Sequence, residues 1–336
     1  MEAGQVTERA APAVGEQVAE RLRRQPWVGA VGVIALIFIA LVIGEGLHDV
    51  AQTGVNGLSL GAIYALGAVG LTLVYGILKL VNFAQGDFLT FGAYMAYLVN
   101  VTWGMPLVVG VFWAMITTAL LGLFFERLLW GPMRAKRAGF LQLILMSIGL
   151  AFLLRAIVQW FWSTEIRVLD VNTTSTVDFL GLRVGQTQLI VVIVGVGVLI
   201  AVGLMLRWTL LGKQMRALSD DLELAETAGI DTRRVINYTW IFAGALAGLA
   251  GVLAAAVTEI YPELGFELLL PIFAAVILGG IGDAFGALAA GMVIGVMTEW
   301  STLVIDASWK TAVGFLVLVI VLIIRPQGIF GRAKAI

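Results

Sequence analysis

The sequence predicts an all-α, polytopic membrane helix bundle of about 8 to 10 transmembrane segments with glycine-broken helices, on three observations. Hydrophobic residues make up 60% of the 336 residues and charged residues only 13%, against about one quarter charged in ordinary soluble domains. The apolar residues fall in runs of about 20, the length that crosses the hydrocarbon core of a bilayer. Many of the 40 glycines lie inside those runs, where a soluble helix avoids them and where helices in lipid use them for close contact. Small-xxx-small spacings at Gly57 and Gly61, Gly244 and Gly248, and Gly291 and Gly295 suit that packing.

In chain order, residues 1–26 read as a cytoplasmic disordered tail with the basic group Arg21, Arg23 and Arg24 at its end. A transmembrane domain over 27–331 follows. Its first apolar run, 27–47, is long for a signal peptide and lacks a clear cleavage site, so it reads as a retained span. Further spans are expected at 54–75, 83–101, 106–125, 140–162, 188–206, 235–258, 268–281, 285–303 and 311–324. The short 268–281 run ends at Gly279, Gly280 and Gly282, which makes a re-entrant or broken helix the alternative there. With both termini in the cytoplasm, every Lys and Arg except Arg155, Arg167, Arg183 and Lys310 falls on the cytoplasmic side, as retention of positive loops requires. That topology puts 207–234 in the cytoplasm and the Ser/Thr/Asn-rich stretch 163–186 outside.

Several function classes are excluded by what the chain lacks. It has no cysteine and one histidine, His48, so disulfides, thiolate metal sites and His-based nucleophile triads are implausible, and no enzymatic role is expected. A net charge of -1 gives no reason to expect nucleic acid. The glycines from Gly279 to Gly286 superficially match a dinucleotide loop but lack the preceding strand and the βαβ pattern.

Three regions carry candidate function. In 211–230, Asp220 with Glu223 has capping-box spacing and Gly229 supplies a left-handed stop, which defines a short helix facing water. Leu222, Ala225, Ala228 and Ile230 give it an apolar surface suited to a groove on a soluble partner, the plainer alternative being a helix lying on the membrane surface. Asn82, Gln85 and Asp87 stand at the start of a span. A carboxylate at the bilayer centre costs about 2.5 to 3.5 kcal/mol on insertion scales, so Asp87 either caps its helix or lines a pathway. Around Asp283 the theme of Gly-Asp followed by Phe-Gly-Ala returns, a short hint of related halves. Asn56, Ser59, Gln142, Arg155, Gln159 and Glu299 read mostly as interhelical hydrogen-bond partners, Arg155 and Gln159 alternatively reaching for the interface. Glu259, Glu263 and Glu267 form an acidic outer loop, read as solvated charge or a partner contact.

With these segments in view, the chain resembles the inner-membrane permease subunit of branched-chain amino acid ABC importers, the LivH type. The resemblance rests on Asn56 to Leu66, Val81 to Asp87, Gly212 to Ile230, Leu278 to Ala287, and the terminal Arg325-Pro326-Gln327-Gly328-Ile329-Phe330-Gly331. It implies that 212–230 is the coupling helix docking on an ATP-binding subunit, with Gly212, Arg216, Asp220, Leu222, Ala225 and Gly229 as its residues. It further implies a homologous second permease, two ATP-binding subunits, a periplasmic substrate-binding protein and a setting in membrane lipid. ATP is then used by the partner subunits, and no cofactor is bound by this chain. Asn56, Asn82, Gln85, Asp87, Gly279, Gly280 and Gly282 are the expected translocation path. Related permeases serve urea and short amides, which stands as the alternative substrate class. An ion-coupled secondary transporter using Asp87 or Asp283 is the rival mechanism. The residues ahead of about Val50 depart from the family pattern and add a tail and a span.

Overall fold

The computed structural model describes residues 26–171, 175–179, 182–324 and 328. The expected tail 1–26 lies outside them apart from Pro26, as does the terminal Arg325 to Gly331 motif apart from Gly328. The chain divides into two units, Met1–Gly46 and Leu47–Ile336. The first contains α1 (Pro26–Glu45), an unbroken helix of 20 residues that meets the expected first span and ends at Gly46, φ +94.

The second unit opens with α2 (Leu47–Leu78) and α3 (Gln85–Tyr97), then α4 (Leu107–Phe125), α5 (Gly131–Ala135) and α6 (Phe140–Trp162). A small hairpin of β1 (Thr176–Phe179) and β2 (Leu182–Gly185) follows, then α7 (Gln186–Trp208) and the two short helices α8 (Leu210–Asp220) and α9 (Leu222–Thr227). The chain continues with α10 (Thr232–Val257), α11 (Leu264–Gly279), α12 (Ala284–Ser301) and α13 (Lys310–Ile324). Among the described residues, 6 helical segments are long and apolar enough to cross a membrane, and Ile34–Glu45, Leu264–Gly279 and Ala307–Ile323 are shorter apolar stretches. The span expected at 83–101 is a 13-residue α-helix continued by a π-helical turn at Leu98–Thr102. The 268–281 run begins earlier, at Leu264, and contains Pro271.

Burial separates inner helices from outer ones. The spanning windows of α2 and α10 are 89% and 78% buried, whereas those of α6 and α7 are 28% buried. On α4 the exposed residues Phe112, Ile116, Leu120 and Phe124 recur every fourth position and form one apolar stripe. Such a stripe has lipid as its natural solvent.

The glycine pairs read from the sequence do hold helices together. Gly57 and Gly61 on α2 face Gly291 and Gly295 on α12, where a Cβ on Gly57 would stand 2.6 Å from Val296 Cα and one on Gly291 2.6 Å from Ala65 Cα. Gly244 and Gly248 let α10 lie against α4, their missing Cβ positions 2.7 and 2.8 Å from Thr118 O and Ala114 O. Backbones at such distances gain dispersion and weak Cα–H···O contacts that larger side chains would prevent.

The hairpin in the 163–186 stretch is a structural feature that the sequence does not announce. It pairs Thr176 with Gly185 and Val177 with Val184. Gln52 of α2 clamps it, the side chain donating to Arg183 O at 2.7 Å and accepting from Arg183 N at 2.9 Å. A second lock joins α4 to α10. Glu126, buried in a π-helical turn, accepts from Trp240 Nε1 at 2.7 Å and pairs with Arg134, and Trp130 stacks on Trp240 with centroids 6.3 Å apart. Trp240→Phe is expected to lower the thermal unfolding temperature by an amount corresponding to about 1.5 to 3 kcal/mol, the worth of a hydrogen bond to a charged acceptor. Static light scattering or intrinsic fluorescence during a thermal ramp reads the shift, and an unchanged midpoint would count against the lock.

Candidate translocation and coupling sites

Between α2 and α3 the chain leaves helical geometry at Lys79, φ +52, and regains it at Gln85. Asn82 organises this break by accepting from Ala84 N at 3.2 Å, with its amide nitrogen 3.4 Å from Gln85 Oε1. Ser147 of α6 accepts from Phe83 N at 3.2 Å. Asp87, in the first turn of α3 and 1% exposed, pairs with Arg155 Nε of α6 at 3.2 Å. Asp87 therefore serves an ion pair before it serves the helix end, since the N-cap position is Ala84, which has no side-chain cap bond. The guanidinium of Arg155 also lies over the ring of Phe266 on α11, 4.6 Å from its centroid.

Helices α3 and α11 begin beside one another. Gly86 and Gly265 touch backbone to backbone, and Gly265 N donates to Thr90 Oγ1 at 2.9 Å. Gln159, one turn beyond Arg155, donates to Glu263 at 3.0 Å just ahead of α11. Arg155 thus bonds to a residue of another helix, and Gln159 to the residue just ahead of one. Two atoms in this cluster, Asp87 Oδ2 and Gln85 Nε2, have no hydrogen-bond partner among the described residues. A buried acceptor and donor without partners are costly, and together they suit a polar solute or water once the helices part.

The other expected path residues stand elsewhere. Asn56 is on α2, 22 residues before the helix ends at Leu78, so roughly 33 Å of helix separates it from the break that holds Asn82. Gly279, Gly280 and Gly282 form the turn between α11 and α12. Gly280 and Gly282 adopt φ +96 and +93, and a Cβ on Gly279 would strike the backbone of Gly286 and Ala287. Asp283 caps α12 by accepting from Phe285 N and Gly286 N at 3.0 and 3.2 Å. The two Gly-Asp segments therefore do different work, one carboxylate paired with arginine and one with backbone. Gln142, expected between helices, instead caps its own helix by accepting from Gly139 N at 2.9 Å. Glu299 pairs with Lys310 at 2.7 Å.

In the acidic loop Glu259 and Glu267 are exposed, Glu267 also accepting from Tyr261 Oη at 2.6 Å, whereas the half-buried Glu263 holds Gln159. Burial first, and then the neighbouring Glu267, raise the Tyr261 phenol far above its usual range, so it stays a donor.

The 207–234 segment holds two helices where one is expected from the sequence. Thr209 caps α8 through Gly212 N at 3.0 Å, and Asp221 caps α9 through Leu224 N at 3.0 Å. Asp220 is not the cap: it is the exposed last residue of α8, and the extended backbone at Asp221, φ -154 and ψ 114, is what brings a carboxylate onto the free N–H groups. Gly229 does supply the left-handed stop, at φ +84. On α8, Gly212, Met215 and Leu218 turn inward while Lys213, Arg216 and Asp220 face out. Gly212 has no room for a Cβ, which would stand 2.5 Å from Met205 O.

The apolar face of α9 is also corrected. Ala225 is 4% exposed and packs on the bundle with Leu222 half-buried, whereas Leu224, not among the expected residues, is 68% exposed. At about 100° per residue, Leu222 and Ala225 share one side of so short a helix and Leu224 takes the other. Arg155, Glu263 and Leu224 are site members that sequence reasoning does not place in the site. The signal for Arg155 lies in its position four residues before Gln159 on a span, with a carboxylate unpaired elsewhere.

A helical bundle with six apolar segments of spanning length among the described residues, and a buried ion pair where three helices meet, defines a multi-pass membrane protein. The family model described as branched-chain amino acid transport system / permease component matches residues 54–322, and the chain belongs to that family. It is 30% identical over 294 residues to the high-affinity branched-chain amino acid transport system permease protein LivH of Salmonella typhimurium, covering 83% of this chain and 94% of the relative. It is 30% identical over 302 residues to BraD of Pseudomonas aeruginosa, covering 86% and 98%. To the permease protein LivM of Escherichia coli it is 25% identical over 336 residues, covering 90% and 75%. No solved structure is significantly similar to the chain.

Proposed function

We propose that this chain is the permease subunit of an ATP-driven importer that moves branched-chain amino acids by alternating access. The observation that carries the coupling half of this reading is the α8–α9 pair. Its inner face is anchored by Met215, Leu218 and Ala225, and its outer face presents Arg216, Asp220 and Leu224 to a soluble partner. ATP binding in two partner subunits would move that pair, since a ligand shifts an equilibrium only by its differential affinity for the two states. A second permease related to this one and a periplasmic substrate-binding protein complete the assembly. The placement of basic residues supports a plasma-membrane setting with both termini and 207–234 in the cytoplasm. The polar cluster of Asn82, Gln85, Asp87 and Arg155 is the proposed path. It is closed in this conformation, with Asp87 and Gln85 at 1% and 2% exposure.

Leucine uptake into proteoliposomes, with and without the ATP-binding subunits, tests the assignment. Uptake is expected to require both ATP and those subunits; accumulation driven by an ion gradient in the chain alone would favour the secondary-transport mechanism, and preference for urea or short amides would move the substrate class. Leu224→Arg is expected to lower coupled uptake about 30-fold, a typical interface hot-spot loss of about 2 kcal/mol, with no change in membrane insertion. Ala225→Arg differs because it acts on a packed residue and lowers stability as well.

A further inference from the structure

Lys79 stands where two helices end. Its backbone is left-handed at φ +52, a region that a residue with a long side chain seldom adopts. Its Nζ donates to Gly76 O at 2.8 Å and to Ser219 O at 2.9 Å, carbonyls in the last turns of α2 and α8. Last-turn carbonyls lack intrahelical partners and carry the negative end of the helix dipole, so a single ammonium here serves two helix ends at once. Gly76 makes the approach feasible, since a Cβ there would stand 3.2 Å from Ser219 Oγ. The same glycine borders the α11–α12 turn, the added Cβ lying 3.7 Å from Gly282 O. Directly after Lys79 comes the buried break with Asn82, and then Gln85 and Asp87.

We propose that Lys79 is the joint that passes a displacement of α8 and α9 to the polar segment at the start of α3, by tying the ends of α2 and α8 to one ammonium. It is a positioning residue, and the inference rests on the reading of α8–α9 as the coupling element. If α8 shifts, the carbonyl of Ser219 moves, and the ammonium must follow or lose its charge-assisted bond to it. Because the Lys79 backbone is itself the first residue of the break, that pull acts on the chain leading to Asn82. A hydrophobic side chain of similar length keeps the packing but transmits nothing.

The complete transporter in liposomes, with its binding protein and radiolabelled leucine, is the system for the test. Wild type, Lys79→Met and Lys79→Arg are compared for uptake, ATP hydrolysis and the ratio of the two. Lys79→Met is expected to spend about tenfold more ATP per leucine, the scale of one charged hydrogen bond, while Lys79→Arg returns to within about threefold of wild type. A folding defect lowers both rates in proportion and leaves the ratio alone, so an unchanged ratio in Lys79→Met overturns the joint whether the two rates fall together or not at all. Absence of ATP-driven uptake in wild type would instead remove the functional reading on which the joint depends.

Discussion

Arg155→Met is expected to lower the apparent unfolding temperature of the purified protein by about 5 °C and to reduce uptake with it. The physical reason is asymmetric: Asp87 is 1% exposed and Arg155 is its ion-pair partner, so truncating the arginine strands a carboxylate in the interior. Removing one partner of a buried pair costs about 3 to 5 kcal/mol, and at this size each kcal/mol is worth roughly 1 to 2 °C. Arg155 also gives up its contact with Phe266. Adding Asp87→Asn to Arg155→Met is expected to restore more than half of the lost stability, because the stranded charge is gone. The comparison needs only thermal ramps on the two single variants and the double variant. An Arg155→Met protein as stable as wild type would show that the pair does not join α3 to α6.

Gly295→Val is the second large effect. A Cβ at Gly295 would collide with the Gly61 backbone and stand 2.7 Å from Gly57 O, so α2 and α12 must separate over the whole of their longest contact. Overpacking in a dense interior costs about 1 to 3 kcal/mol when neighbours can yield, and backbone atoms yield least. The expected result is loss of the monodisperse peak in size-exclusion chromatography, or a yield reduced severalfold. Gly149→Ala is the matched control. It lies exposed on α6 with nothing within 4 Å of its added Cβ, and relief of glycine's conformational freedom predicts a gain of about 0.5 to 1 kcal/mol. Similar behaviour of the two variants would argue that glycine packing is not what holds α2 to α12.

The structure also explains why some site features are legible in the chain and others are not. Gly229 can be read because a left-handed stop after a short amphipathic run is a local requirement. Asp220 passes for the cap because Asp220 and Asp221 are equivalent in composition, and only the extended backbone at Asp221 distinguishes them. The polarity of Asp87 is visible in the sequence, but its partner lies 68 residues away on α6. Ala225, expected on the partner-facing surface, is buried and Leu224 is exposed in its place, because a six-residue helix has too few turns to establish a period. The hairpin escapes notice because its alternation, Thr176-Val177-Asp178-Phe179 and Leu182-Arg183-Val184, runs for only four residues in each strand, too short to stand out within a polar stretch.

The sequence by itself determined a glycine-packed helical membrane protein, because span length, charge placement and close-contact glycines are all written locally, and its motifs carried the resemblance to the branched-chain amino acid permease family. Only the tertiary structure decided which polar residues meet. Asp87 with Arg155, Gln159 with Glu263, and Lys79 with both Gly76 and Ser219 are choices among many donors and acceptors of equal chemistry. Burial makes an unmatched polar group expensive, but it does not say which distant helix will supply the match.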